Sequence, residues 1–322
     1  MPQDSIYYAI GRLSVLQKNR LDPAKLERLL QAPTVQDARR TLSEIGFGDG
    51  GNYEQMADSH VENACALARR LATDEAVVNC YLLRYDVNNL KMLLKARCLG
   101  IEAEALSACG VYPVDTLRHA VAEHHYAALP DTLKKPLDEL EKRLALNVDP
   151  LDIDATLDKA LYSTVFALLP GKERTARQYF IARVDLLNLI MALRALHMGK
   201  NEAFLQGLLL LGGSVPVQKW LKAMKTPEKL PQLLHGYGVK VYQAAIAAQM
   251  DPKKIPALER AMDDHLLGVY TPYRREMDRP QRIIGYLLMR EREAAAVRLI
   301  LAGKTAGFAP ERIRERLRDL YG

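Results

Sequence analysis

The chain has 322 residues, 49% of them apolar and 26% charged, with a formal net charge of +6 and a pI near 9.0. This length suggests two or three domains, and the composition is that of a folded soluble protein rather than a disordered one. The charge is mild: it permits contact with an acidic partner or phospholipid headgroups and requires neither.

The four cysteines, Cys65, Cys80, Cys98 and Cys109, show no C-x-x-C spacing, so buried reduced thiols in a cytoplasmic protein are expected. The start, "MPQDSIYYAIGRL", lacks the basic region and apolar run of a signal peptide. The most apolar stretch, "FLQGLLLLGGSVPV" at 204–217, is too short and too interrupted by glycine to span a bilayer.

In chain order, Asp22-Pro23 sets an N-cap and first-turn proline before "AKLERLL", and Thr34 with Asp37 forms a capping box. "GFGDGG" at 46–51 matches G-x-G-x-x-G, but the preceding "VQDARRTLSEI" is helical, so a loop between helices is expected instead of a dinucleotide site. His119, Glu123, His124 and His125 cluster in "LRHAVAEHHY" without a third ligand at metal spacing. "MDDHLLGVY" at 262–270 resembles the paired acids of all-helical prenyl-transferring enzymes, except that Leu267 stands where their third Asp belongs. Gly303-Lys304-Thr305 resembles the end of a P-loop, but Arg298 occupies the place of its first glycine and the preceding residues are helical. The expected structure is a helix stopping at a C-cap Gly303, and no direct nucleotide site. At 310–322, Pro310 opens a helix with Ile313, Leu317 and Leu320 in one stripe. Arginines are interleaved with acids throughout this region, which argues against nucleic acid. Strand patterns are scarce, and the chain reads as all-α.

Internal repetition carries the most information. "YLLRYDVNNLKMLLKARCLG" (81–100) aligns with "FIARVDLLNLIMALRALHMG" (180–199): Tyr81 with Phe180, Asp86 with Asp185, Asn89 with Asn188, Lys95 with Arg194, and Gly100 with Gly199. The third copy, at 286–303, places Tyr286 at the aromatic and Glu291 at the acidic position, with Ala294 replacing Asn. Arg298 and Gly303 then arrive two residues early. "GVYPVDTLRHAV" (110–121) resembles "GSVPVQKWLKAM" (213–224), with a looser version at 32–42, and "LDKAL" (157–161) resembles "LERAM" (258–262). A period of about 100 residues exceeds that of the common solenoids. Three similar helical domains are expected, at 1–105, 106–206 and 207–322. Asp86 and Asn89 fall in line with Leu82, Leu93 and Ala96, so each Asp–Asn pair is expected to satisfy a loop or helix end within its own module.

The triplicated unit, the motif helices "YLLRYDVNNL" and "FIARVDLLNL", the closing "YLLMREREAAAVRLILAGKTAGFAPERIRERL" and the opening "YYAIGRLSVLQKNRL" resemble the C subunit of the V-type (A-type) rotary ATPases of bacteria and archaea, related to the eukaryotic d subunit. The resemblance implies three helical domains in a pseudo-threefold funnel. It caps the membrane proteolipid ring on the cytoplasmic side and receives the central D–F shaft. It implies torque transmission with no catalysis, cofactor or metal, for ATP-linked proton or sodium transport. Lys95, Arg194 and Arg298 are candidate partner contacts. The alternatives are a stand-alone helical scaffold of the same fold, and an all-α enzyme, for which no polar constellation is present.

Overall fold

The structure is a computed structural model that describes residues 5–48 and 51–320. Among these residues there are helices and turns but no strand, so the chain is all-α. In order the helices are α1 (Ile6–Leu16), α2 (Pro23–Gln31), α3 (Val35–Glu44), α4 (Tyr53–Leu71), α5 (Glu75–Leu99), α6 (Val114–Ala122), α7 (Asp131–Leu144) and α8 (Pro150–Leu168). They continue as α9 (Arg174–His197), α10 (Glu202–Leu208), α11 (Val217–Met224), α12 (Val239–Met250), α13 (Ile255–Gly268), α14 (Gln281–Thr305) and α15 (Pro310–Arg314).

Local chemistry sets the helix starts. Asp22 accepts from Lys25 N–H at 2.8 Å with Pro23 in the first turn. Thr34 Oγ1 accepts from Asp37 N–H at 3.1 Å, while the Asp37 carboxylate takes the Thr34 hydroxyl. The reciprocal capping box lies elsewhere, at Asn52 and Gln55. Those residues follow the glycine loop, of which Asp49 and Gly50 fall outside the described residues.

Two compact units divide the chain. One joins residues 1–74 to 259–322, the other holds 75–258. In the first, α14 runs along α4, α1 and α3, and α15 lies on α2. Its core takes Leu29, Leu30 and Leu42 from the early helices, Phe47 from the loop after α3, and Val297, Ile300, Leu301 and Ile313 from the late helices. The paired acids Asp263 and Asp264 serve the same unit. Arg292 donates to Asp264 at 2.9 Å, and Arg318 pairs with Asp263 at 2.5 Å.

In the second unit, α5 packs antiparallel to α8, with Lys91 on Asp158 (2.6 Å) and Lys95 on Asp154 (2.7 Å). The α7–α8 pair is likewise antiparallel: Arg143 forks onto Asp152 at one end and Thr132 meets Thr164 at the other. Of the histidine cluster, only His124 enters a network. It sits 2.9 Å from Glu141, which also pairs with Arg97 at 2.6 Å, while His119, Glu123 and His125 are exposed. All four cysteines are thiols, three buried and Cys98 half-buried.

The closing segment departs from expectation in two places. Helix α14 does not stop at Gly303; it continues to Thr305, and Gly307 takes the left-handed conformation, φ +72°. Gly303 is a packing position, where a Cβ would lie 2.8 Å from Ile313 Cγ1. Lys304 donates to Leu30 O (2.7 Å) and Ala32 O (2.6 Å), satisfying carbonyls at the end of α2. The apparent nucleotide signature is therefore a helix-to-helix clasp. The last stripe is regular helix only over α15. Ile313 is buried, and Leu317 and Leu320 pack on the same core from less regular backbone.

Candidate functional site

The three motif helices, α5, α9 and α14, share one terminal geometry. Each ends on a left-handed glycine that donates to the carbonyl three residues back, and the next residue donates to the carbonyl five back. The bonds are Gly100 to Arg97 and Ile101 to Ala96, Gly199 to Leu196 and Lys200 to Ala195, then Gly307 to Lys304 and Phe308 to Gly303. Counting back fourteen residues from each glycine reaches Asp86, Asp185 and Glu293.

Asp86, 0% exposed, accepts Val111 N–H at 2.7 Å and Tyr112 N–H at 3.0 Å. Asn89 exchanges two bonds with Ser107, giving its amide to the carbonyl (2.8 Å) and taking the N–H (2.9 Å). Asp185 accepts Ser214 N–H (2.8 Å), Ser214 Oγ–H (2.5 Å), Val215 N–H (3.2 Å) and Tyr237 O–H (2.6 Å). Asn188 exchanges with Leu210, at 3.0 and 2.9 Å. Gly110 and Gly213 are obligatory here, since a Cβ on either would stand 2.1 Å from an aspartate Oδ1. Both loops then enter a helix at a proline, Pro113 or Pro216. The partners of Asp86 and Asn89 lie past residue 105 and those of Asp185 and Asn188 past 206, so each pair holds the loop that opens the next expected module and not one within its own. Burial, reinforced by the neighbouring carboxylate, raises the phenols of Tyr112 and Tyr237 above the usual tyrosine range.

The third copy differs from the sequence alignment. Glu293, not Glu291, occupies the equivalent place; it is 1% exposed, whereas Glu291 is half-buried. Glu293 Oε1 accepts Leu21 N–H at 2.7 Å. Leu21 lies two residues before Pro23, as Val111 does before Pro113 and Ser214 before Pro216. The same loop-to-helix element is thus supplied from the opposite end of the sequence. Asn has no counterpart, Ala296 standing at its position. Instead His60 Nε2 lies 2.9 Å and Arg290 2.8 Å from Glu293 Oε2, and Arg290 also donates to Leu16 O at 2.9 Å. Burial alone would raise the Glu293 carboxyl; the His60 hydrogen bond and the Arg290 charge outweigh it and hold the carboxyl below the ordinary range. Arg282 adds a second strap, to Ser14 (2.8 Å), Gln17 (3.0 Å) and Glu276 O (3.0 Å). Phe47 of the glycine loop stacks on His60, ring centroids 3.9 Å apart, and so covers the cluster.

The aromatic positions also take different surroundings. Tyr81 and Phe180 meet at 4.8 Å, with Tyr179 against both, whereas Tyr286 lies under the Arg290 guanidinium at 5.1 Å. Of the candidate contact cations, Lys95 is paired with Asp154, Arg298 is paired with Asp58, and Arg194 is exposed on the last turn of α9. Such surface pairs contribute about 0–1 kcal/mol each.

The lone pairs of these carboxylates face backbone, hydroxyl, guanidinium and imidazole donors. Among the described residues, no group of three or more His, Cys, Asp or Glu could hold a metal. Long helices repeated in this way, their interior acids spent on fixing loops, define an all-helical repeat protein. The chain belongs to the ATP synthase (C/AC39) subunit family, whose profile matches residues 9–316.

Relatives include the C subunit of the V-type sodium ATPase of Enterococcus hirae, 25% identical over 78% of this chain and 77% of that one. The C subunit of the A-type ATP synthase of Methanocaldococcus jannaschii is 23% identical, over 97% of this chain and 86% of the relative. That of Methanosarcina barkeri is 26% identical, over 96% and 92%.

Proposed function

We propose that this chain is the non-catalytic central-stalk connector of a V/A-type rotary ATPase, joining the D–F shaft to the proteolipid ring and passing torque between them. The observation that carries this reading is the family match along nearly the whole chain, with relatives named as the C subunits of V-type and A-type enzymes. In this reading three similar domains, 1–105, 106–206 and 207–322, form a funnel on the cytoplasmic face of the membrane, in peripheral contact with the ring and lipid headgroups. No helix among the described residues is long and apolar enough to cross a membrane, which suits a peripheral place. Rigidity suits the task as well: buried carboxylates fix the loops, and Arg282, Arg290 and Glu293 tie the early segment to α14. Lys95, Arg194 and Arg298 are the cations assigned to partner contact.

The test mixes the purified protein with the D–F shaft and the detergent-solubilised ring, and weighs the complexes by light scattering after gel filtration. A ternary complex that forms only with this protein present is expected. Shaft and ring joining without it, or a protein that binds neither competent partner, would refute the connector.

A further inference from the structure

The second unit contains a groove of about 830 Å³ that the anchoring network does not use. Its walls are one face of α7 and one face of α8, closed on the far side by α10 and the 209–212 turn. Along α7 the lining runs from Thr132 to Arg143, three helical turns or about 16 Å. The surface is mainly apolar, formed by Pro136, Ala160, Phe166, Leu209 and Leu211. Leu211 is 70% exposed, and the Phe166 ring sits on Gly212 so closely that a Cβ there would lie 2.1 Å from it. The volume lies within the usual range for small-molecule sites, which pair apolar walls with a few polar groups.

The charges bordering the groove are unequally satisfied. Glu139 is paired with Lys142 at 2.6 Å. Asp152 is held by the Arg143 fork at 2.7 and 3.0 Å and by Thr156 at 3.1 Å. Lys159, half-buried between the walls, has its hydrogen bond to a backbone carbonyl, that of Gly207. Burial pushes its ammonium down, with Asp152 pulling partly the other way. Among the described residues no carboxylate is hydrogen-bonded to this ammonium, and an anion arriving over the apolar floor would supply one.

We propose that this groove binds a single-chain anionic amphiphile, a free long-chain carboxylate, with its hydrocarbon along α7 and α8 and its head on Lys159. An acyl chain fits the continuous apolar floor, and one carboxylate fits one cation. This site is independent of the connector reading.

The experiment is a calorimetric titration of the full-length protein with laurate below its micelle concentration, alongside dodecanol as the uncharged chain of equal length. Saturable binding of one laurate is expected. Dodecanol binding to the wild type and laurate binding to Lys159→Met should each be about tenfold or more weaker, the loss of one charge-assisted hydrogen bond. Ser163→Trp, which fills the groove from an exposed position on α8, should abolish binding while leaving the melting curve in place. Absence of saturable heat, equal affinity for dodecanol, or full binding by Ser163→Trp would overturn the proposal. Displacement of laurate by phosphatidylglycerol vesicles would transfer the site to bilayer lipid and overturn the free-carboxylate assignment.

Discussion

Replacing Glu293 by Gln tests the buried cluster with almost no change of shape. Gln can still accept Leu21 N–H, but its amide NH2 then faces Arg290, which has only donors. His60 can change tautomer to accommodate an amide; Arg290 cannot. The guanidinium, in a residue 6% exposed, would keep only the Leu16 carbonyl among its anionic and carbonyl partners. Removing one member of a buried ion pair costs about 3–5 kcal/mol, a large share of the 5–15 kcal/mol typical of a folded protein. Glu293→Gln with Arg290→Met removes both charges and costs mainly the Arg290 hydrogen bond to the Leu16 carbonyl, which keeps its place at the head of the Gln17–Asn19 turn; one such bond is worth about 1.5–3 kcal/mol. The double variant should therefore be more stable than Glu293→Gln alone. Urea unfolding gives the stabilities, and hydrogen exchange at the Leu21 amide reports the local bond, which should lose protection in the single variant. A Glu293→Gln protein within about 1 kcal/mol of wild type, or strictly additive costs in the double variant, would mean that Glu293 and Arg290 are not energetically coupled.

The same carboxyl predicts a pH dependence. Its folded pKa is depressed, so its contribution is complete above the unfolded value of about 4.3 and is lost as pH falls through the folded one. Acid titration of the melting temperature should show this fall, flattened in Glu293→Gln. Asp185→Asn should lower the ionisation midpoint of Tyr237, isolated by difference against Tyr237→Phe in an absorbance titration. The midpoint should remain above that of ordinary tyrosine, because burial is the larger cause. Gly110→Ala and Gly213→Ala should each cost about 1–3 kcal/mol by chemical denaturation, since the new methyl must displace a buried carboxylate. Magnesium ATP should leave the melting temperature unchanged, because Lys304 is already committed to the carbonyls of Leu30 and Ala32.

The all-α class and the first two motif copies were legible because helical period, caps and the spacing from acid to glycine are local properties. The alignment of "GVYPV" with "GSVPV" also held the signal for the anchored loops, since Gly110 and Gly213 are the residues that make room for Asp86 and Asp185. The third copy misleads for a physical reason. Gly303 follows Glu291 two residues sooner than the glycines of the other copies follow their acids; it is a contact with Ile313, and the stopping glycine is Gly307. Taking Gly307 as the fixed point shifts the acid from Glu291 to Glu293. Its partners, Leu21 N–H and His60, come from the other end of the sequence, where no periodicity connects them. By sequence the glycine loop is only a spacer, whereas Phe47 within it covers His60. A backbone donor has no letter of its own in a sequence, so which N–H meets which carboxylate required the fold.

The connector claim meets its most direct test in reconstituted vesicles carrying the ring, the D–F shaft and the A/B head, with and without this protein. ATP hydrolysis and ATP-driven ion uptake are measured together. Ion uptake should depend on the protein, while hydrolysis by the head should persist without it. Ion uptake of equal rate in vesicles lacking it would mean that this protein does not join shaft to ring.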